Sequence, residues 1–114
     1  MDNRTLPQRA TGFLKVAFYN TNHDPEPPMQ AKYRIDDISS GVAVEVRPDT
    51  YFTVPLDGIA EIKIEMTDTD MINPDNFIEY RRLSVVGYFN QNSDEVPGTY
   101  DFNISRVLIP QGIP

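Results

Sequence analysis

The chain has 114 residues, of which 39% are hydrophobic and 24% charged, a balance that fits one globular domain. It has no cysteine and a single histidine, which excludes disulfide frameworks, thiolate metal sites and zinc sites built on two imidazoles. Its formal charge of −7, from 17 acidic and 10 basic residues, disfavours nucleic acid and anionic membrane surfaces, both of which select an excess of Lys and Arg.

The opening stretch MDNRTLPQRATG has no apolar core, so no secretory signal is expected, and no apolar run approaches the ~18 residues of a membrane span. Beyond it the hydrophobic pattern has a period of two, the mark of half-buried strands. Over 13–19, Leu14, Val16 and Phe18 share one face, and Phe13, Lys15, Ala17 and Tyr19 the other. A proline-rich loop over 20–28 contains His23, read as solvated. Over 29–36, Met29, Ala31, Tyr33 and Ile35 are expected inside, with Gln30, Lys32, Arg34 and Asp36 outside. A turn at 37–41 leads to 42–47, where Val42, Val44 and Val46 alternate with Ala43, Glu45 and Arg47. Pro48, Asp49 and Thr50 interrupt the pattern, and 51–55 reads as a separate edge segment because of Pro55.

The longest alternation follows a turn at 56–58: Ala60, Ile62, Ile64 and Met66 against Glu61, Lys63 and Glu65. Residues 68–79 read as a polar crossing loop with room for one helical turn. Leu83, Val85, Gly87 and Phe89 are expected inside over 80–89. A polar connection at 90–98 precedes 99–107, where Tyr100, Phe102 and Ile104 alternate with Asp101, Asn103 and Ser105. These segments predict an all-β fold, a seven-stranded Ig-like β-sandwich, with a jelly roll or small barrel as the alternative. The expected division is a flexible N-terminal arm at 1–11, the sandwich at 12–107 and an extended C-terminal tail at 108–114.

Few residues offer chemistry. Asp68, Asp70 and Glu79 stand at positions 1, 3 and 12 of a calcium-loop spacing, but Ile72 and Asn73 occupy the places of its fifth-position acid and sixth-position glycine. They form the weak metal candidate; an acid-rich turn holding no metal is expected, and no cofactor. The other acids fall in turns (Asp36, Asp37, Asp49, Asp57) or on outward strand positions beside Arg47 and Lys63, so no catalytic carboxylate pair is expected and no enzyme. Aromatic residues on outward positions, Phe13, Tyr19, Tyr51, Tyr80 and Tyr88, suit a protein interface. Both ends are candidates for partner binding, through Arg4 and Arg9 at one and the apolar Leu108, Ile109 and Ile113 at the other. Pro110, Gly112 and Pro114 bar a helix in the tail.

The run from Lys32 to Gly41, KYRIDDISSG, together with Glu79-Tyr80-Arg81-Arg82 and the closing TYDFNI, resembles a set of small tailed-bacteriophage proteins sharing a YRIDD-x-x-SG turn and an E-x-R-R segment. The resemblance covers about 12–107. It implies a virion structural role. The leading expectation is a capsid decoration (cement) protein bound to the major capsid protein or another virion protein and assembled in the host cytoplasm, with a homo-oligomer as a further candidate partner. A head–tail or tail-associated adaptor is the alternative, and a non-viral carbohydrate-binding module a further one.

Overall fold

The alternating segments pair into two sheets. A computed structural model describes residues 5–19, 22–73, 75–89 and 95–106, and among them the elements are β1 (Thr5–Pro7), β2 (Gly12–Ala17), β3 (Gln30–Asp37), β4 (Val44–Phe52), β5 (Ile59–Ile64), β6 (Ile78–Tyr88) and β7 (Glu95–Ser105). One sheet has the order β1-β7-β6-β3-β4 and the other is the antiparallel pair β2-β5. Neither closes on itself, so the fold is an open β-sandwich and not a barrel. The β2–β5 pair facing a β7-β6-β3-β4 sheet is the strand arrangement of Ig-like sandwiches, with β1 added parallel to β7.

The core forms where inward positions of both sheets meet. Ala60, Ile62 and Ile64 of β5 and Phe18 beyond β2 pack against Ala31, Tyr33 and Ile35 of β3, Leu83 and Val85 of β6, and Phe102 and Ile104 of β7. Leu14, Val16 and Tyr100 remain partly exposed at its margin. Two glycines let the loops close on this core. The ring of Phe18 lies over Gly87, where a Cβ would meet its Cε1 at 2.9 Å. Gly58 adopts φ +76°, and a Cβ there would stand 2.9 Å from the Glu26 nitrogen and 3.1 Å from the Phe18 oxygen. Gly58→Ala should therefore cost about 1–2 kcal/mol or more, read as a lowered thermal midpoint, because it combines a left-handed backbone with a backbone clash.

Several expectations are corrected. Thr5–Pro7, assigned to a flexible arm, forms β1 by pairing with Asn103, Ile104 and Ser105, and the Gln8 N–H continues the contact to the Ser105 oxygen at 2.8 Å. The two segments expected on either side of Pro48 form the single strand β4. Pro48 is tolerated because β4 is an edge strand and the ladder to β3 is irregular there. The same irregularity turns Arg47 inward, paired opposite Ile35, where an outward position was expected. Met29 and Met66, expected inside, lie just outside their strands and are 66% and 44% exposed. Residues 65–73 and 75–77, where one helical turn had room, form turns and bends, with no helical turn among these described residues.

Candidate interaction surface

The outer face of the five-stranded sheet is a lattice of charges. Register places Glu45, Asp36, Arg82 and Asp101 in one row across β4, β3, β6 and β7. The Arg34 guanidinium reaches Asp36 at 2.8 Å, Glu45 at 3.7 Å and Asp49 at 3.9 Å. Arg82 grips Asp101 with two bonds of 2.8 and 3.0 Å, and Lys32 stands 3.4 Å from Asp49. These contacts hold Arg34 and Arg82 further above their already high ordinary values. Lys32 is raised by Asp49 first and the Tyr88 hydroxyl second. Arg82–Asp101 is solvent-exposed and adds little stability, whereas Asp36, expected outside, is buried at 7% exposure beneath three bonds from the Arg34 guanidinium.

Tyrosines rise from this face at two places. Tyr51 pairs with Lys32, and Tyr88 stands in the neighbouring row opposite Gln30. Tyr80 lies eight residues along β6 from Tyr88, roughly 26 Å at strand rise. Tyr51 and Tyr80 are 59% and 48% exposed, and Tyr88 is half-buried.

Beneath Tyr80 the strand carries a feature that sequence reading missed. Glu79 and Arg81 have the inward parity of Leu83 and Val85, and both are buried. Arg81 bonds the carboxylate of Asp37, the Glu79 Oε1 at 3.0 Å and the backbone oxygens of Asp68 and Asp70 at 3.3 and 2.7 Å. Glu79 accepts from the Ile72 and Asn73 N–H groups at 2.9 and 2.8 Å and from Asn76 Nδ2 at 3.0 Å. Asp37, expected in a turn, ends β3 and is buried; it also accepts from Ser39, whose hydroxyl in turn receives the Tyr80 N–H. Asp68 is gripped by Arg47 and takes the Glu65 N–H at 2.7 Å. The YRIDD-x-x-SG and E-x-R-R residues thus pin residues 65–73 and 75–77 to the end of the sandwich.

Burial pushes the Glu79 carboxyl up, but the bonds from Asn73, Ile72, Asn76 and Arg81 outweigh it and hold the group below its ordinary value of 4.5. A carboxylate with a lowered folded value stabilises the fold at every pH above its unfolded value. That contribution disappears as pH falls through the lowered folded value. An acid titration of the unfolding free energy should therefore fall below pH 4.5, and the fall should be shallower in Glu79→Gln.

The metal candidates are spent on these contacts. Asp68 and Glu79 serve arginines and backbone N–H groups, and Asp70 reaches outward to Arg9 at 3.1 Å. No group of three or more His, Asp or Glu side chains among the described residues is placed to hold a metal ion. Millimolar calcium should leave the melting temperature unchanged, whereas a bound ion at a hundredfold excess over its dissociation constant would add ~2.7 kcal/mol.

The proposed binding residues are scattered over the molecule. Arg9 sits in the turn after β1 with φ +61°, its N–H on the Thr69 oxygen at 3.0 Å and its guanidinium on Asp70. Its charge is therefore engaged within the chain. Tyr19 is not on the sheet face of Tyr80 and Tyr88; it follows β2 in an isolated bridge with Pro25 and is 52% exposed. Arg4, Leu108, Ile109 and Ile113 lie outside the described residues. Comparison with protein-family models, curated proteins and solved structures yields no match.

Proposed function

We propose that the chain is a non-enzymatic structural protein of a tailed-bacteriophage virion, a decoration or cement protein that attaches to the major capsid protein. The observation that carries this reading is the outer sheet face, where Tyr51 and Tyr80 stand 59% and 48% exposed among charges already paired with one another. Rings projecting from a rigid sheet lose little freedom on docking, and tyrosine is enriched where protein surfaces meet. The likeness of the KYRIDDISSG and E-x-R-R segments to small phage proteins supports the same reading. On a symmetric shell, weak contacts repeated at every copy gain strength through effective concentration.

The test is the composition of purified particles. A decoration protein should be present by mass spectrometry at a copy number commensurate with the capsid lattice. A few copies per particle would favour the head–tail or tail-associated adaptor, and absence from particles would remove both. In re-addition to particles lacking the protein, Tyr51→Ala and Tyr80→Ala should each lower occupancy at an unchanged melting temperature. Full occupancy by both variants would move attachment away from this face.

A further inference from the structure

One side of the sandwich is open. The edge of β2 that faces away from β5 pairs with no strand among the described residues. Beside it, β1 covers β7 at Asn103–Ser105, and among the described residues no strand pairs with that edge of β7 before Asn103. Between β2 and the uncovered part of β7 runs an apolar groove lined by Val16, Phe18, Leu83, Val85, Gly98 and Tyr100. The Phe18 N–H donates to the Gly58 oxygen at 2.9 Å, so antiparallel alternation sends the N–H and C=O of Phe13, Lys15 and Ala17 toward this open side. β2 carries a single charge, Lys15, and no proline, so it lacks most of the devices that normally blunt a free edge. The opposite edge of the small sheet is capped, because the Lys63 oxygen accepts from Arg47 at 3.3 Å.

We propose that this edge receives residues 107–114 of a second copy, added to β2 as an extra strand. Their sequence, VLIPQGIP, has the required parity. Val107, Ile109 and Ile113 share one face of an extended strand, while Pro110, Gly112 and Pro114 share the other. An edge strand bonds its neighbour through residues of one parity only. Run parallel to β2, the odd-numbered residues bond to Phe13, Lys15 and Ala17 while standing opposite Leu14 and Val16, whose inward face they share. They can therefore supply the ladder and fill the groove, with the missing proline N–H groups facing away.

A second copy is favoured over the same copy by where the described chain ends. β7 runs toward the end of the sandwich at which β2 begins; Ser105 pairs with Pro7, and the Arg106 N–H is anchored on the Phe77 oxygen at 2.8 Å. Residues 107–114 would have to reverse direction within eight residues to return along β2 of their own copy. A neighbour needs no reversal. The contact is heterologous, tail to edge, and generates rings or open chains of copies. It does not rest on the virion reading.

The full chain should sediment as reversibly growing species as its concentration rises. Deletion of 107–114 and Ile109→Asp should each leave only monomer, and a synthetic peptide of residues 107–114 should dissociate the larger species. Lys15→Pro removes an N–H that points away from β5, so it should abolish association while the melting temperature stays near that of the parent. A full chain that remains monomeric overturns the proposal, as does association that survives Ile109→Asp. A deletion that lowers the melting temperature of a monomeric parent also overturns it, since the tail then docks within its own copy.

Discussion

Arg81→Met should lower the unfolding free energy by about 3–5 kcal/mol, read as a shift of the urea midpoint at constant slope. The Arg81 side chain is fully buried, and its guanidinium is the cation closest to two carboxylates that are themselves almost fully buried, Asp37 and Glu79. Methionine fills much of the volume but leaves those carboxylates without their counter-charge, and it leaves the Asp68 and Asp70 carbonyls without a donor. Adding Glu79→Gln to Arg81→Met should recover part of the loss, because the amide oxygen still accepts a backbone N–H without carrying charge. A double variant as unstable as the sum of the two single ones would mean that the charge is not the source of the cost.

Ile62→Ala should cost roughly 2–5 kcal/mol, and Lys63→Ala less than ~0.5 kcal/mol. Ile62 is 2% exposed on β5, facing the core, while the Lys63 side chain is 57% exposed and stands 3.8 Å from Glu65. Truncating isoleucine leaves a cavity between two sheets whose backbones are held by their own ladders and cannot close over it. Equal losses at the two positions would mean that the strand register is displaced by one residue.

The strands that fold against the core were legible because period two and burial coincide: Ala60, Ile62, Ile64 and then Leu83, Val85 fall inside as their alternation requires. What escaped sequence reading had a non-local cause. β1 is three residues long with only Leu6 apolar, too short for any periodicity, and it exists because β7 offers an edge about a hundred residues later. β4 carries a proline that reads as a break, yet an irregular edge ladder accommodates it. The parity of Glu79 and Arg81 was visible beside Leu83, but the rule that charges face water hid it. Only the fold brings Asp37, 44 residues away in sequence, to their side. The exposure of Tyr51 and Tyr80 followed directly from alternation. Alternation put Tyr19 on the face of Phe13, Lys15 and Ala17, but β2 ends at Ala17, and Tyr19 instead forms an isolated bridge with Pro25.

The parallel pairing of β1 with β7 has a mechanical side. Both strands run the same way, so tension applied at Thr5 and at Ser105 pulls them in opposite directions along their shared axis. The ladder between them is then loaded in shear, its bonds bearing the force together and not opening one after another as in an unzipped hairpin. Gln8, bonded to the Ser105 oxygen, extends that clamp by one more contact. A body hauled by its two ends would yield first here, at a short and stiff latch, with the β2–β5 pair and the central strands behind it still intact.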